Sequence, residues 1–464
     1  MARKNNNAKR RLLITALFII GLMAFIYNSK LFEREPPQVL IDETVYWNLK
    51  KPLNIKISDQ SGIKRILIQL GDGENNITLF NEKHNAEEKE LEFNITFPKK
   101  GFYSKKNQYI ISYEIVDHSF WNFFMGNKIV KESIIIADRQ DPLIHVTANS
   151  YKITKGGAGI VIFKVEDANP NEVYIQTNFG KKFKAAPFEK EGYYIAPVVW
   201  PREQKNPLNA EIVATDLAGN TAREKIKYYI QDKNYKSSKI QLTVPFLNGS
   251  ISSLAHDIAD DETQDMNSLE KFIFINDTLR KESVSTIEEV SDNINYPKYF
   301  TLEPFYPLKS SAVVAGYGDF RIYEYDKKKV SESYHLGLDL ASTAEADIIL
   351  SNRGRVVFAG ENGIYGKMII IYHGLGIYSL YGHCSNLLVQ EGDEVTAGQI
   401  IAKTGKTGFA FGDHLHFGIV IQGVEVRPEE WMDEKWMRDN IFDVINSANY
   451  LIESENNNSK WQNN

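Results

Sequence analysis

Five of the chain's nine histidines, His335, His373, His383, His414 and His416, fall in one Gly-rich stretch. Within it, His335-Leu-Gly-Leu-Asp339 is followed some eighty residues later by His414-Leu-His416. In an extended strand side chains two apart share a face, so His414 and His416 are predicted to point the same way. The same arithmetic puts His335 and Asp339 on one face, with Gly337 between them leaving room for an ion. Two imidazoles and one carboxylate suit a catalytic zinc, which takes three protein ligands and keeps a fourth position for water. Histidines scattered over a surface would not keep this spacing. Hydrolysis also needs proton transfer and charge stabilisation. His383, in Tyr381-Gly-His383, and His414, two residues from the proposed ligand His416, are available for that work. His373, in Tyr372-His-Gly-Leu-Gly, reads as a turn or groove residue.

These groups need a frame, and 464 residues are too many for one ordinary core. A net charge of −6 without a basic stripe argues against nucleic acid as a partner. Arg3, Lys4, Lys9, Arg10 and Arg11 precede an uncharged run from Leu12 to Ser29, just long enough to span a bilayer core. Ala24-Phe25-Ile26-Tyr27-Asn28 offers no small-x-small cleavage site, so the run reads as an uncleaved anchor at 12–29 rather than a signal peptide. The basic tail at 1–11 should then stay cytoplasmic, with everything after Lys30 exported. The expected location is the inner membrane, single-pass, with the reactive region periplasmic. Cys384 is the lone cysteine, so no intramolecular disulfide is possible. It reads as a half-buried structural thiol.

Beyond Pro36-Pro37 the pattern becomes strand-like, as in Leu53-Asn-Ile-Lys-Ile and Tyr109-Ile-Ile-Ser-Tyr-Glu-Ile-Val. Glu114-Ile-Val-Asp followed by Lys131-Glu-Ser-Ile-Ile-Ile-Ala-Asp138 is echoed by Glu211-Ile-Val-Ala-Thr-Asp followed by Lys225-Ile-Lys-Tyr-Tyr-Ile-Gln-Asp232. This repeat predicts two tandem immunoglobulin-like sandwiches, 38–139 and 140–235, as spacers or binding sites for envelope protein partners. A helical connector comes next at 246–295, with Asp257, Asp260, Asp261, Glu262 and Asp265 on a solvated face. Short Gly-separated strands then predict a compact antiparallel β-domain at 300–440. The Asn-rich end, 453–464, has little to bury and reads as a disordered tail. The fold class is mainly β.

His335-x-x-x-Asp339, Tyr-Gly-His383 and His414-Leu-His416-Phe, in that order, resemble the lysostaphin-type (LytM-domain) zinc metallopeptidases of bacteria. Gly354-Arg-Val-Val-Phe-Ala-Gly, Gly392-Asp-Glu-Val-Thr-Ala-Gly-Gln and Gly405-Lys-Thr-Gly are similar to that family's framework, and the likeness covers roughly residues 310 to 433. The resemblance implies one zinc ion on His335, Asp339 and His416, with His383 and His414 as the catalytic pair. It also implies hydrolysis of the peptide cross-links of peptidoglycan, whose stem peptides would be the substrate. Gly418 departs from the family, many of whose members carry Glu there, but this is not a ligand position. The chain lacks the His-Glu-x-x-His of thermolysin-like sites. Gly405-Lys406-Thr407 mimics the end of a phosphate loop, but Ile400 stands where its first Gly belongs. No Gly-x-Ser-x-Gly elbow accompanies a triad. A non-enzymatic LytM-domain regulator of another wall hydrolase is the alternative, although such proteins typically lose metal ligands.

Overall fold

Alternation of apolar and polar residues after Pro37 produces two facing sheets. In this computed structural model, one sheet orders Gln38–Leu40, Leu53–Ser58 and Glu90–Ile95. The other orders Thr44–Trp47, Lys128–Ala137, Gln108–Asp117, Ile63–Gly71 and Asn76–Lys83. Ile55 and Ile57 from the first meet Ile66, Ile68, Leu70, Ile111 and Tyr113 from the second in one buried cluster. The structure describes residues 2–85, 88–99, 106–292 and 302–462. Residues 293–295 and 300–301, at the predicted edges of the connector and the C-terminal domain, lie outside it. So do 463–464 of the predicted tail and the side chains of Asp260 and Asp261.

Two compact units result. The first takes Met1–Pro142 with Asn169–Asn171 and Thr215–Thr221, and the second takes the remainder. A helix, Ala2–Asn28, opens the first unit, and its Lys9–Asn28 stretch is long and apolar enough to cross a membrane.

In the second unit, residues 143–225 supply two four-stranded sheets. A separate second sandwich would keep its core to itself, but these sheets share theirs with the C-terminal region. Phe163, Phe183 and Trp200 lie in one apolar cluster with Trp431, Met437 and Ile441 and with Leu338, Ile371 and Phe417. The helix Asp443–Gln462 packs on the strands Leu143–Asn149 and Ala158–Glu166. That helix also corrects the reading of the tail as disordered over its described part, 453–462. Val444, Ala448 and Ile452 are buried at helical spacing, and Tyr193 Oη donates to Glu455 over 2.6 Å. A helix already anchored costs little to extend through a polar sequence.

The C-terminal sheet runs Ala312–Ala315, Leu338–Ala341, Leu415–Ile421, Ile377–Cys384, Lys367–Tyr372, Gly354–Glu361 and Glu394–Val395, all antiparallel. Its central strands are buried on both faces, hence the unbroken Met368-Ile-Ile-Ile-Tyr372. Ile369 and Ile371 face the cluster just described, whereas Met368, Ile370 and Tyr372 face the short helices between Val244 and Ser291. Those helices are the predicted connector. Leu254, Phe272, Ile275 and Ile287 are buried against the sheet, while Asp257, Glu262 and Asp265 are exposed.

Candidate metal centre

Asp339 and His416 are directly paired residues of adjacent antiparallel strands, Leu338–Ala341 and Leu415–Ile421. Paired residues project from the same face, and His416 Nδ1 lies 2.9 Å from Asp339 Oδ1. His335 reaches the same oxygen by a different route. The predicted single strand carrying both His335 and Asp339 does not form: one strand ends at Tyr334, the next begins at Leu338, and the chain bends between them. The His335 ring nonetheless puts Nε2 3.0 Å from Asp339 Oδ1 and 3.3 Å from His416 Nδ1. Gly337 makes room for a side chain rather than for an ion. A Cβ built on it would sit 2.5 Å from both Cε1 and Nε2 of His416.

The hydrogen bonds fix which nitrogens carry protons. A backbone carbonyl can only accept, so His335 donates Nδ1–H to Gly316 O over 2.9 Å and turns a lone pair on Nε2 toward the cluster. A lone pair, a carboxylate oxygen and His416 Nδ1 therefore converge in a buried site with too few protons to share. The buried His416 Nε2 has no protein partner either. Such a donor set calls for a cation, and two imidazoles with one carboxylate match the preference of zinc. Burial alone would raise the Asp339 carboxyl, but the imidazoles of His335, His414 and His416 around it hold it far below the ordinary carboxylate range. Among the described residues, Glu33, Asp59 and Asp117 form the other three-residue group of potential metal donors, in the first unit.

His414 lies just before its strand in an isolated bridge to Gly405, and its Nε2 is 3.6 Å from Asp339 Oδ1. His383 needs a backbone irregularity to join it. Gly382 is paired with His416, so plain alternation would turn His383 to the other face. Instead the register slips opposite Met368, and His383 adopts a left-handed φ of 62°. Its ring comes to 4.8 Å from that of His414 and 5.8 Å from that of His416, centroid to centroid. His383 donates Nδ1–H to Thr407 O over 2.8 Å, and His414 donates Nδ1–H to Gly412 O over 2.8 Å. His383 thereby keeps Nε2 as an acceptor, whereas His414 turns Nε2 toward Asp339.

The environments drive these two rings apart. Burial, aided by His416 and His414, pushes His383 down to about 3. Burial opposes protonation of His414 as well, but the Asp339 carboxylate beside its Nε2 prevails and raises its proton affinity. A cavity of about 640 Å³ opens over all five groups. Phe272, Asn276 and Arg280 of the connector and Phe409 and Phe411 of the loop before His414 supply its other walls.

Two sequence readings move. His373 is a buried core residue, donating Nδ1–H to Arg353 O over 2.8 Å and accepting from Ser379 Oγ over 2.7 Å. Cys384 is fully rather than half buried, and burial pushes its thiol up to about 12. The backbone carbonyls of Gly316, Thr407 and Gly412, which orient three of the rings, carried no signal in residue type. Only the glycines around Thr407 hinted at a close approach: a Cβ on Gly366 would meet Thr407 C at 2.4 Å.

Residues 333–428 match the family model described as peptidase family M23. The murein hydrolase activator NlpD of Escherichia coli (strain K12) is 40% identical over 107 residues, which are 23% of this chain and 28% of that protein. The DD-carboxypeptidase/endopeptidase Mpg of Neisseria meningitidis serogroup B (strain MC58) is 36% identical over 94 residues, 20% of this chain and 22% of that one. The catalytic domain of the antimicrobial peptidase lysostaphin from Staphylococcus simulans aligns at 26% identity with a TM-score of 0.23, over 26% of this chain and 92% of that one. The matched segment is thus under a third of the length of these curated relatives. Within those bounds, this chain carries a C-terminal peptidase family M23 (LytM-type) domain, homologous to those of NlpD and Mpg.

Proposed function

We propose that the chain is a membrane-anchored zinc endopeptidase that hydrolyses the peptide cross-links of peptidoglycan outside the cytoplasm. The observation that carries this reading is the convergence of all five groups, His335, Asp339, His416, His383 and His414, beneath one cavity. His335, Asp339 and His416 would hold the zinc, which when bound supplies a Lewis acid for a peptide carbonyl and acidifies water. His414, the more basic of the free pair, carries the proton from the attacking water to the leaving amide nitrogen. His383, kept neutral, presents its Nε2 lone pair to position water or a substrate N–H. The aromatic wall from the connector excludes water and bounds an extended peptide.

The name of Mpg supports a D,D-endopeptidase, and the name of NlpD supports the rival, an activator of another murein hydrolase. Purified sacculi incubated with detergent-solubilised full-length protein separate the two. The enzyme reading expects cross-linked dimers to become monomers with intact stems and glycan, and Asp339→Ala to abolish this. Unchanged dimers with zinc-loaded protein would favour the activator. Free stem peptides would indicate an amidase instead.

A further inference from the structure

The two halves of the sequence repeat share a clamp. Asp117 accepts from the backbone N–H of Asn127 over 2.7 Å and from its side-chain amide over 2.7 Å. Asp216 accepts from the backbone N–H of Asn220 over 2.8 Å and from its side-chain amide over 2.7 Å. A glycine with positive φ precedes each Asn, Gly126 at 86° and Gly219 at 83°. Three residues separate Asp216 from Asn220, whereas nine separate Asp117 from Asn127. The clamp therefore needs none of the extra residues. Those extra residues include Phe120-Trp-Asn-Phe-Phe-Met125, whose Phe123, Phe124 and Met125 are 92%, 66% and 70% exposed. Asn122, Phe123 and Phe124 all take left-handed backbone, which costs free energy that folding within this unit does not recover by burying them.

The loop is tied to the end of the apolar helix. Phe120 N–H donates to Leu31 O over 2.7 Å, and the Phe120 ring meets Phe32 edge-on at 6.0 Å. The Arg34 guanidinium lies 4.6 Å from the ring of Tyr27, on the helix's last turn, and 4.6 Å from that of Trp121. Tyr, Trp and Arg gathered at the end of an apolar span is the composition of a membrane–water interface. We propose that the 120–125 loop is a second membrane contact, inserting Phe123, Phe124 and Met125 into the outer leaflet beside the helix. It fixes the first unit on the bilayer instead of leaving it on a single swivel. This rests on the reading of the helix as an anchor.

The test uses full-length protein in liposomes of phosphatidylethanolamine and phosphatidylglycerol brominated near the headgroup end of the acyl chains. Single cysteines at Phe123→Cys, Leu17→Cys and Glu74→Cys carry an environment-sensitive dye. Buried Cys384 leaves the unsubstituted chain as the blank. Glu74 lies in the turn at the far end of the nine-residue strand Ile63–Gly71, roughly 30 Å from the loop end, and reports water. Bromolipid is expected to quench the dye at 123 and 17 but not at 74. Quenching at 17 alone overturns the loop contact and leaves the anchor standing. Dye at 123 shielded from aqueous iodide yet not quenched by bromolipid also overturns it, in favour of a protein partner. No quenching at any position overturns the anchor and the loop contact together.

Discussion

At the residue scale, His414 and His416 differ by two positions yet have opposite surroundings. His416 has Nδ1 against Asp339 Oδ1 and a buried Nε2 without a protein partner, whereas His414 borrows only charge stabilisation across 3.6 Å. His416→Ala is therefore expected to lose zinc. His414→Ala should keep most zinc while turnover drops by a factor on the order of a hundred or more, as for loss of a positioned proton carrier. Metal analysis beside sacculus digestion checks both, and equal zinc loss in the two variants would mean the roles are wrong. His373 gives a separate pH expectation, remote from the cluster. Burial pushes it down to about 4, so the folded chain keeps it neutral while the unfolded chain binds a proton below about 6.5. Its neutral form stabilises the fold above that pH, and the contribution drains away as pH falls toward 4. His373→Gln should be the less stable protein at pH 7, with the gap closing by about 1–2 kcal/mol at pH 5. Urea unfolding of the two metal-saturated proteins at each pH measures it, and a gap unchanged with pH would refute the buried neutral histidine.

At the element scale, the site depends on two departures from regular strands. One is the bend between Tyr334 and Leu338, where Gly337 lets the His416 ring through. A Cβ there would also stand 2.8 Å from Phe417 O, so neither neighbour can yield cheaply. Gly337→Ala should retain its β circular dichroism but bind zinc some 10–100-fold more weakly, since a small displacement of a ligand ring costs about that much. A competitive chelator titration reads the change, and unaltered affinity would show that the ring can move aside. The other departure is the register slip that turns His383 inward with φ at 62°. Strand alternation could not have found it, because a bulge is set by pairing to the neighbouring strand and not by the local pattern.

At the scale of the whole molecule, the five groups all lie in the second unit, and Glu33, Asp59 and Asp117 lie in the first. Calorimetry of the solubilised chain is expected to show two transitions. Removing zinc should lower only the one belonging to the unit with the histidine cluster. At free zinc a thousandfold above its dissociation constant the difference is about 4 kcal/mol. A chelator that shifts both transitions equally, or neither, would contradict the placement of the metal.

Residue order by itself was enough to single out the five side chains that the fold gathers at one cavity, because rare donor types at short fixed spacings stand out from their surroundings. It was enough as well for the apolar helix, since a charge-free run of that length carries its own signature. The helical 246–292 segment was legible for a related reason, its apolar residues falling on one face and its acidic ones on the other. Three things were decided only by tertiary structure. The 143–235 segment and the C-terminal sheet share a core, because apolar faces do not name their partners. Residues 453–462 became helix, because Val444, Ala448 and Ile452 just before them had a surface to bury against. The orientation of the His335, His383 and His414 rings was settled by backbone carbonyls of Gly316, Thr407 and Gly412, whose direction depends on how distant segments are folded and not on which residues they are.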